Sequence, residues 1–327
     1  MAINGSSIPI VRLASAGANS DLDDDAEKQL AQQVRNACRD VGFFYLEGHG
    51  IESSFLNEVM EQSKLLFDLP LDEKNALTDK VMSRGYTAMG EETLDPAVQT
   101  CGDTKEGYYI ADDFPQNHPL YNPEKLRGPN QWPSQQRLAN FKPVMELYLT
   151  RVGEIAMRVV RLIALSLGLP RDFFDPHFQE PMRFIRLLHY DRTQSEPGSG
   201  VFACGAHSDY GMLTLLLTDE HPGLQILSKD GCWIDVPPNP LSFIVNLGDM
   251  LERWTNGEYK STLHRVLTSG NSERYSIPYF FEPNFDAKVE CLDACCSRAN
   301  PPRYPPTTAG LHLLNKYQET HADFKPE

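Results

Sequence analysis

The segment His207-Ser208-Asp209 sets an imidazole and a carboxylate at alternate positions, a spacing that points both side chains to one face of a β-strand. Another residue of metal-ligating type, His264, follows at the head of a later apolar segment. Two imidazoles and one carboxylate on one side of a divalent ion leave the opposite positions open. That arrangement suits an iron that must take O2 and a second ligand together. With 9 histidines in the chain, a His-x-Asp pair is weak on its own. Arg274-Tyr275-Ser276, near the end of the next predicted strand, puts a guanidinium and a hydroxyl on one face. Such a pair can hold a carboxylate by a charge-assisted, two-point contact. A surface salt-bridging arginine beside a turn serine is the plainer reading of the same residues.

These groups need a β framework, and the chain supplies one after Pro181. Short apolar segments recur there with turn signals between them: 184–188, 213–217, 224–227, 243–246, 264–267 and 276–281. Strands at this spacing predict a sandwich or barrel rather than βαβ repeats, and no Gly-rich phosphate loop follows any of them. Before residue 181, helical periodicity predicts helices over 22–41, 54–67 and 137–167, the last with Pro143 in its first turn or kinking it. Residues 84–133 are rich in Gly, Pro, Asn and Asp and read as irregular loops with short strands, long enough to carry function. Residues 307–320 read as a terminal helix.

The bulk numbers narrow the partners. The chain has 327 residues, a prior of roughly two domains at about 150 residues each. Lys plus Arg is 30 against 45 Asp plus Glu, a net charge of -15 that repels phosphate backbones and anionic lipid. Neither nucleic acid nor a membrane surface is therefore an expected partner. The first residues lack a basic-then-apolar leader, and no apolar run reaches the roughly 18 residues of a membrane span. The 7 cysteines are scattered and odd in number, which fits reduced thiols rather than a disulfide framework, so a cytoplasmic location is expected.

The motif order reaches further than the metal and clamp residues. It runs His207-Ser208-Asp209-Tyr210-Gly211, Pro222-Gly223-Leu224-Gln225-Ile226, Asn246-Leu247-Gly248-Asp249, Ser261-Thr262-Leu263-His264-Arg265-Val266 and Arg274-Tyr275-Ser276. Gly42-Phe43-Phe44, Gly48-His49-Gly50 and Phe67-Asp68-Leu69-Pro70 precede it. Over most of the chain this order resembles the 2-oxoglutarate/Fe(II)-dependent dioxygenases of the isopenicillin N synthase-like superfamily. The resemblance implies a mainly β fold with flanking helices: a double-stranded β-helix (jelly-roll) core over 181–285. An amino-terminal region 1–180 would pack on that core, and a carboxy-terminal helix and tail 286–327 would complete one structural unit.

The same resemblance implies His207, Asp209 and His264 as iron ligands, with Arg274 and Ser276 on the far carboxylate of 2-oxoglutarate. Tyr190 would also touch the co-substrate, although the sequence reads Leu188-His189-Tyr190-Asp191 where the commonest plant pattern is Asn-Tyr-Tyr-Pro. The implied reaction consumes O2, converts 2-oxoglutarate to succinate and CO2, and oxidises a C–H bond of a small molecule, usually by hydroxylation. An iron oxidase of the same superfamily without 2-oxoglutarate, and a catalytically silent jelly-roll binding protein, are the alternatives.

Gly85-Tyr86-Thr87-Ala88-Met89-Gly90-Glu91-Glu92, Lys105-Glu106-Gly107-Tyr108 and Pro129-Asn130-Gln131-Trp132-Pro133 resemble a branch that includes bacterial ethylene-forming enzyme and plant or fungal relatives. This implies Glu91 or Glu92 as an anchor for an amino or cationic group of the substrate. It also implies Arg186 reaching the co-substrate and Tyr210 beside the substrate. A solvated acidic loop is an equal reading in so acidic a chain. Trp233 and Trp254 are expected in the core, and Asp249 is expected to organise a turn or to cap the helical turn that follows it.

Overall fold

The apolar segments beyond Pro181 do form strands, and the computed structural model, which describes residues 8–13, 24–79, 84–240 and 242–320, shows how they pair. The first strands are β1 (Ile10–Arg12), β2 (Phe43–Glu47), β3 (Thr78–Asp79), β4 (Arg84–Thr87) and β5 (Lys105–Ala111). The later ones are β6 (Pro181–Tyr190), β7 (Cys204–His207), β8 (Leu213–Thr218), β9 (Leu224–Leu227), β10 (Trp233–Asp235), β11 (Phe243–Leu247), β12 (His264–Val266) and β13 (Arg274–Asn284). A short pair, β14 (Lys288–Val289) and β15 (Thr307–Thr308), follows. The helices are α1 (Asp24–Asp40), α2 (Ser53–Phe67), α3 (Leu71–Asn75), α4 (Phe141–Ser166), α5 (Asp249–Trp254) and α6 (Ala309–Thr320).

A nine-stranded sheet in the order β1-β2-β11-β8-β13-β6-β5-β4-β3 lies over a four-stranded sheet, β10-β9-β12-β7. Both faces of the large sheet are buried, which is why its strands read as unbroken apolar runs rather than alternating ones. In β2, Phe43 and Tyr45 join the cluster between the sheets, while Phe44 and Leu46 join the larger cluster with the helices. In β11, Ile244 faces the small sheet, and Phe243, Val245 and Leu247 face the helices. Helix α4 supplies Val152, Ala156, Val159 and Ile163, all fully buried, and each such Val or Ile contributes about 1.5–3 kcal/mol.

The sequence reading differs from this architecture in several places. The large sheet draws β1 to β5 from before residue 181, whereas the barrel was expected within 181–285. Short strands were expected among the turn-rich residues 84–133, but not that one of them, β5, would pair along its whole length with β6. Helix α4 begins at Phe141, four residues later than expected, with Pro143 in its first turn where no N–H is needed. Thr307 and Thr308 pair with β14, so the terminal helix begins only at Ala309. Arg274 and Ser276, expected to hold a carboxylate, stand at the start of β13 rather than near a strand end. Trp254 is buried, but Trp233 is half-exposed beneath the Arg265 guanidinium, 4.0 Å from its ring. Asp249 makes no side-chain cap; its Oδ2 pairs with Lys316 at 2.8 Å. Residues 22 and 23 of the first expected helix lie outside the described residues.

Candidate active site

Strands β7 and β12 pair antiparallel with His207 opposite His264, bringing the imidazole centroids to 4.2 Å. Asp209 arrives differently from the expectation. β7 ends at His207, so strand alternation does not align the pair; Asp209 lies in the following loop. That loop is tied down from α5, whose first N–H groups have no partner within the helix. Asp249 N–H donates to Asp209 O at 2.8 Å, and Met250 N–H to Tyr210 O at 3.2 Å and Gly211 O at 3.0 Å. A Cβ at Gly248 would meet Gly211 O at 2.2 Å, which is why the Asn-Leu-Gly-Asp motif has glycine there.

The Asp209 carboxylate is oriented by donors to one oxygen: Thr214 Oγ1 at 2.5 Å and Asn246 Nδ2 at 2.7 Å, both to Oδ2. Its Oδ1 then lies 3.8 Å from His207 Nε2 and 3.7 Å from His264 Nε2. Each imidazole is turned by its other nitrogen: His207 Nδ1–H donates to Gly205 O at 2.9 Å, and His264 Nδ1–H to Thr262 O at 3.1 Å. These bonds select the tautomer that leaves both Nε2 lone pairs facing Asp209. One ligand atom from each residue lies within 4.8 Å of the others. Burial, reinforced by the His207 charge, pushes the His264 pKa down to about 4. Burial works to raise the Asp209 pKa, but His264, His207, Thr214 and Asn246 together hold it below the ordinary carboxylate range. His264 and Asp209 thus stand in their ligating forms at neutral pH.

Arg274, at the first position of β13, pairs in register with Tyr190 on β6, and its guanidinium lies 5.0 Å over the tyrosine ring. Its Nη1 donates to Ser276 Oγ at 3.2 Å, and Ser276 also hydrogen-bonds the Tyr190 hydroxyl. Arg274 is 2% exposed, and among the described residues its Nε has no hydrogen-bond partner and no carboxylate pairs with it. A buried, uncompensated cation is costly, so this arrangement is built to receive an anion. Tyr190 shares the intersheet cluster with Cys204, whose Sγ is 3.8 Å from His207 Nδ1, so Arg274, Ser276 and Tyr190 lie in the same space between the sheets as the His207, Asp209 and His264 cluster.

Beside this cluster a cavity opens, bordered by His207 and Asp209, by Tyr109, Phe280 and Tyr317, and by the polar side chains of Arg186, Glu92 and Glu282. Arg186 Nη2 donates to Glu92 Oε2 at 2.9 Å, and Lys105 Nζ lies 2.8 Å from the same oxygen. Lys105 also pairs with the fully buried Asp103, which accepts the Gly205 N–H at 2.9 Å and so braces the residue that orients His207. Tyr210 borders the cavity, and its carbonyl accepts His312 Nε2–H from α6 at 2.8 Å. Of the two loop acids, Glu92 reaches the cavity. Glu91 is exposed outside its lining and accepts the Ala88 N–H at 3.0 Å.

Sequence reasoning did not find Asp103, Lys105, Tyr317 or Glu282. Glu282 is 2% exposed, and its Oε2 accepts the Met212 N–H at 2.6 Å. Its signal was a lone acid closing an apolar strand, together with Gly211, where a Cβ would fall 1.6 Å from Glu282 Oε1. Burial raises the Glu282 pKa from 4.5 to about 8. The folded chain therefore holds a proton there that the unfolded chain releases, so this contribution to stability is complete below pH 4.5 and is lost as pH rises to about 8. Urea unfolding of metal-free protein from pH 5 to 8.5 should show this decline in the wild type and a flatter profile in Glu282→Gln; identical profiles would refute it.

Comparison with known proteins agrees with the geometry. A family profile described as the 2OG-Fe(II) oxygenase superfamily matches residues 180–283, and one described as non-haem dioxygenase in morphine synthesis N-terminal matches 8–135. The 2-oxoglutarate-Fe(II) type oxidoreductase hxnY of Emericella nidulans is 39% identical over 305 residues, 91% of this chain and 87% of that protein. The chain belongs to the 2OG-Fe(II) oxygenase superfamily. The homoarginine-6-hydroxylase 2-ODD-C23 of Glycine max is 35% identical, covering 99% of this oxygenase and 100% of its own length. A full-length Neurospora crassa protein, solved in complex with alpha-KG and thymine, matches with a TM-score of 0.84 and 29% identity over 98% of each chain. The oxygenase is thus a 2-oxoglutarate- and Fe(II)-dependent dioxygenase with a jelly-roll core. Among its described residues no helix is long and apolar enough to cross a membrane.

Proposed function

We propose that this oxygenase hydroxylates a C–H bond of a small molecule seated in the cavity beside His207 and Asp209, with His207, Asp209 and His264 as the iron ligands. The observation that carries the reading is the convergence of those three ligand atoms in one intersheet space with a buried, unpaired arginine. Iron with 2-oxoglutarate and O2 supplies the oxidising chemistry, and the co-substrate leaves as succinate and CO2. The chain does the positioning. Gly205 and Thr262 hold the imidazoles, while Thr214 and Asn246 hold the carboxylate. Arg274, Ser276 and Tyr190 grip the far carboxylate of 2-oxoglutarate, and Arg186 offers a second positive group from the cavity side. Tyr210 and Glu92 border the substrate, and the aromatic walls exclude water from the reacting atoms.

A substrate with an amino or cationic group is the narrower reading, with Glu92 of the Glu91-Glu92 loop at the cavity. Its support is that a relative is named for homoarginine, which carries a guanidinium. A cytoplasmic site of action accords with 7 free thiols. The test is stoichiometry. The enzyme should form one succinate per O2 consumed once a substrate is supplied; O2 uptake without succinate would establish the oxidase alternative.

A further inference from the structure

Two carboxyls other than Asp209 border the cavity, and they differ in what already holds them. Glu92 Oε2 has both Arg186 and Lys105 against it, so its charge is matched within the protein. Glu282 has no cation at ion-pair distance among the described residues. Its Oε2 takes the Met212 N–H, and its Oε1 lies against the bare Cα of Gly211, a residue that itself borders the cavity. Fixing one backbone N–H requires a single acceptor, which a glutamine or serine would provide without burying an acid. The second oxygen exceeds that structural need, and the chain keeps a glycine to admit it. Around it Tyr109, Phe280 and Tyr317 make flat walls, and Tyr317 meets the Tyr210 ring edge-on at 6.0 Å.

Resting on the reading of this cavity as the substrate site, we infer that Glu282 is the anchor of the prime substrate, accepting an N–H from a planar nitrogen group, either a guanidinium or a ring lactam. Oε2 stays with Met212, the proton held on the buried acid passes to solvent as the substrate enters, and Oε1, then a carboxylate oxygen, takes the substrate N–H while the aromatic walls stack on the faces of the planar group. Glu282 stands on β13, the strand that also carries Arg274, so one rigid element sets both co-substrate and substrate.

The test uses the full chain loaded with metal and 2-oxoglutarate. Calorimetric binding and succinate formation are measured with L-homoarginine, thymine and a panel of small guanidines and lactams. Each is compared with a counterpart whose N–H hydrogens are replaced by methyl groups. At least one N–H probe is expected to bind and its methylated counterpart to fail. Glu282→Gln keeps an oxygen for Met212 but presents NH2 to the probe; it should raise Kd and KM by about tenfold or more, with a smaller change in kcat. A response to guanidines assigns the cationic source, and a response to thymine assigns the lactam. Equal binding of methylated counterparts, failure of every N–H probe to bind, or a Glu282→Gln Kd within about twofold of wild type overturns the inference. Binding does not depend on turnover, so a probe that binds through Glu282 without succinate appearing counts against the reaction and not against the anchor. Unfolding of the variant at the wild-type urea midpoint at pH 5 separates loss of the anchor from loss of the fold.

Discussion

Asp209→Asn is expected to abolish tight iron binding and, with it, 2-oxoglutarate-dependent succinate formation. The carboxylate works on two sides: Oδ2 accepts from Thr214 and Asn246, and Oδ1 faces the two imidazoles. An amide cannot serve both. Turned one way, its NH2 meets two donors in a buried site; turned the other, it presents NH2 to the metal and supplies no charge either way. Asn246→Leu is the graded comparison, since it removes one donor from Oδ2 and leaves all three ligands in place. It should weaken iron affinity by about 10- to 100-fold, and Asp209→Asn should exceed that range. Titration of both variants with Fe(II) under anaerobic conditions checks the order. An Asp209→Asn affinity within about tenfold of wild type would show that the ion is held elsewhere.

The contrast between these residues also shows what a sequence discloses. His207, Asp209, His264, Arg274 and Ser276 were legible because their types are rare in apolar strands and their order is specific. The means of convergence was not legible. Strand alternation was the argument for Asp209, yet a loop held by α5 and by Thr214 and Asn246 delivers it, through contacts remote in sequence. Glu282 was hidden for a related reason. One acid among 45 carries no signal until the fold buries it against Gly211, and the pairing of β13 with β8 is what does so. Bulk charge misleads in the same way. A chain of net charge -15 nevertheless buries Arg274, Arg186 and Lys105 around one site, because packing, not composition, sets the local potential.

Arg274→Met is expected to remove most of the affinity for 2-oxoglutarate while leaving the fold intact. The substitution keeps an apolar stem over Tyr190 and deletes a guanidinium whose Nε has no partner among the described residues. A charge-assisted contact contributes roughly 1.5–3 kcal/mol, which at about 1.4 kcal/mol per decade raises the co-substrate KM by about 10- to 150-fold. Stability gives an independent reading with a different sign. Without co-substrate, the wild type buries an unmatched cation at 2% exposure, so Arg274→Met should unfold no earlier than wild type in that state. Adding 2-oxoglutarate at about 100 times its wild-type Kd to the metal-loaded proteins should stabilise the wild type by about 2.7 kcal/mol and the variant by far less. Lysine at 274 should fall between them, because it restores charge without the planar fork that shares the carboxylate with Ser276. Equal stabilisation of wild type and Arg274→Met would place the carboxylate grip elsewhere in the site, and Arg186, already facing the cavity, would be the group to replace next.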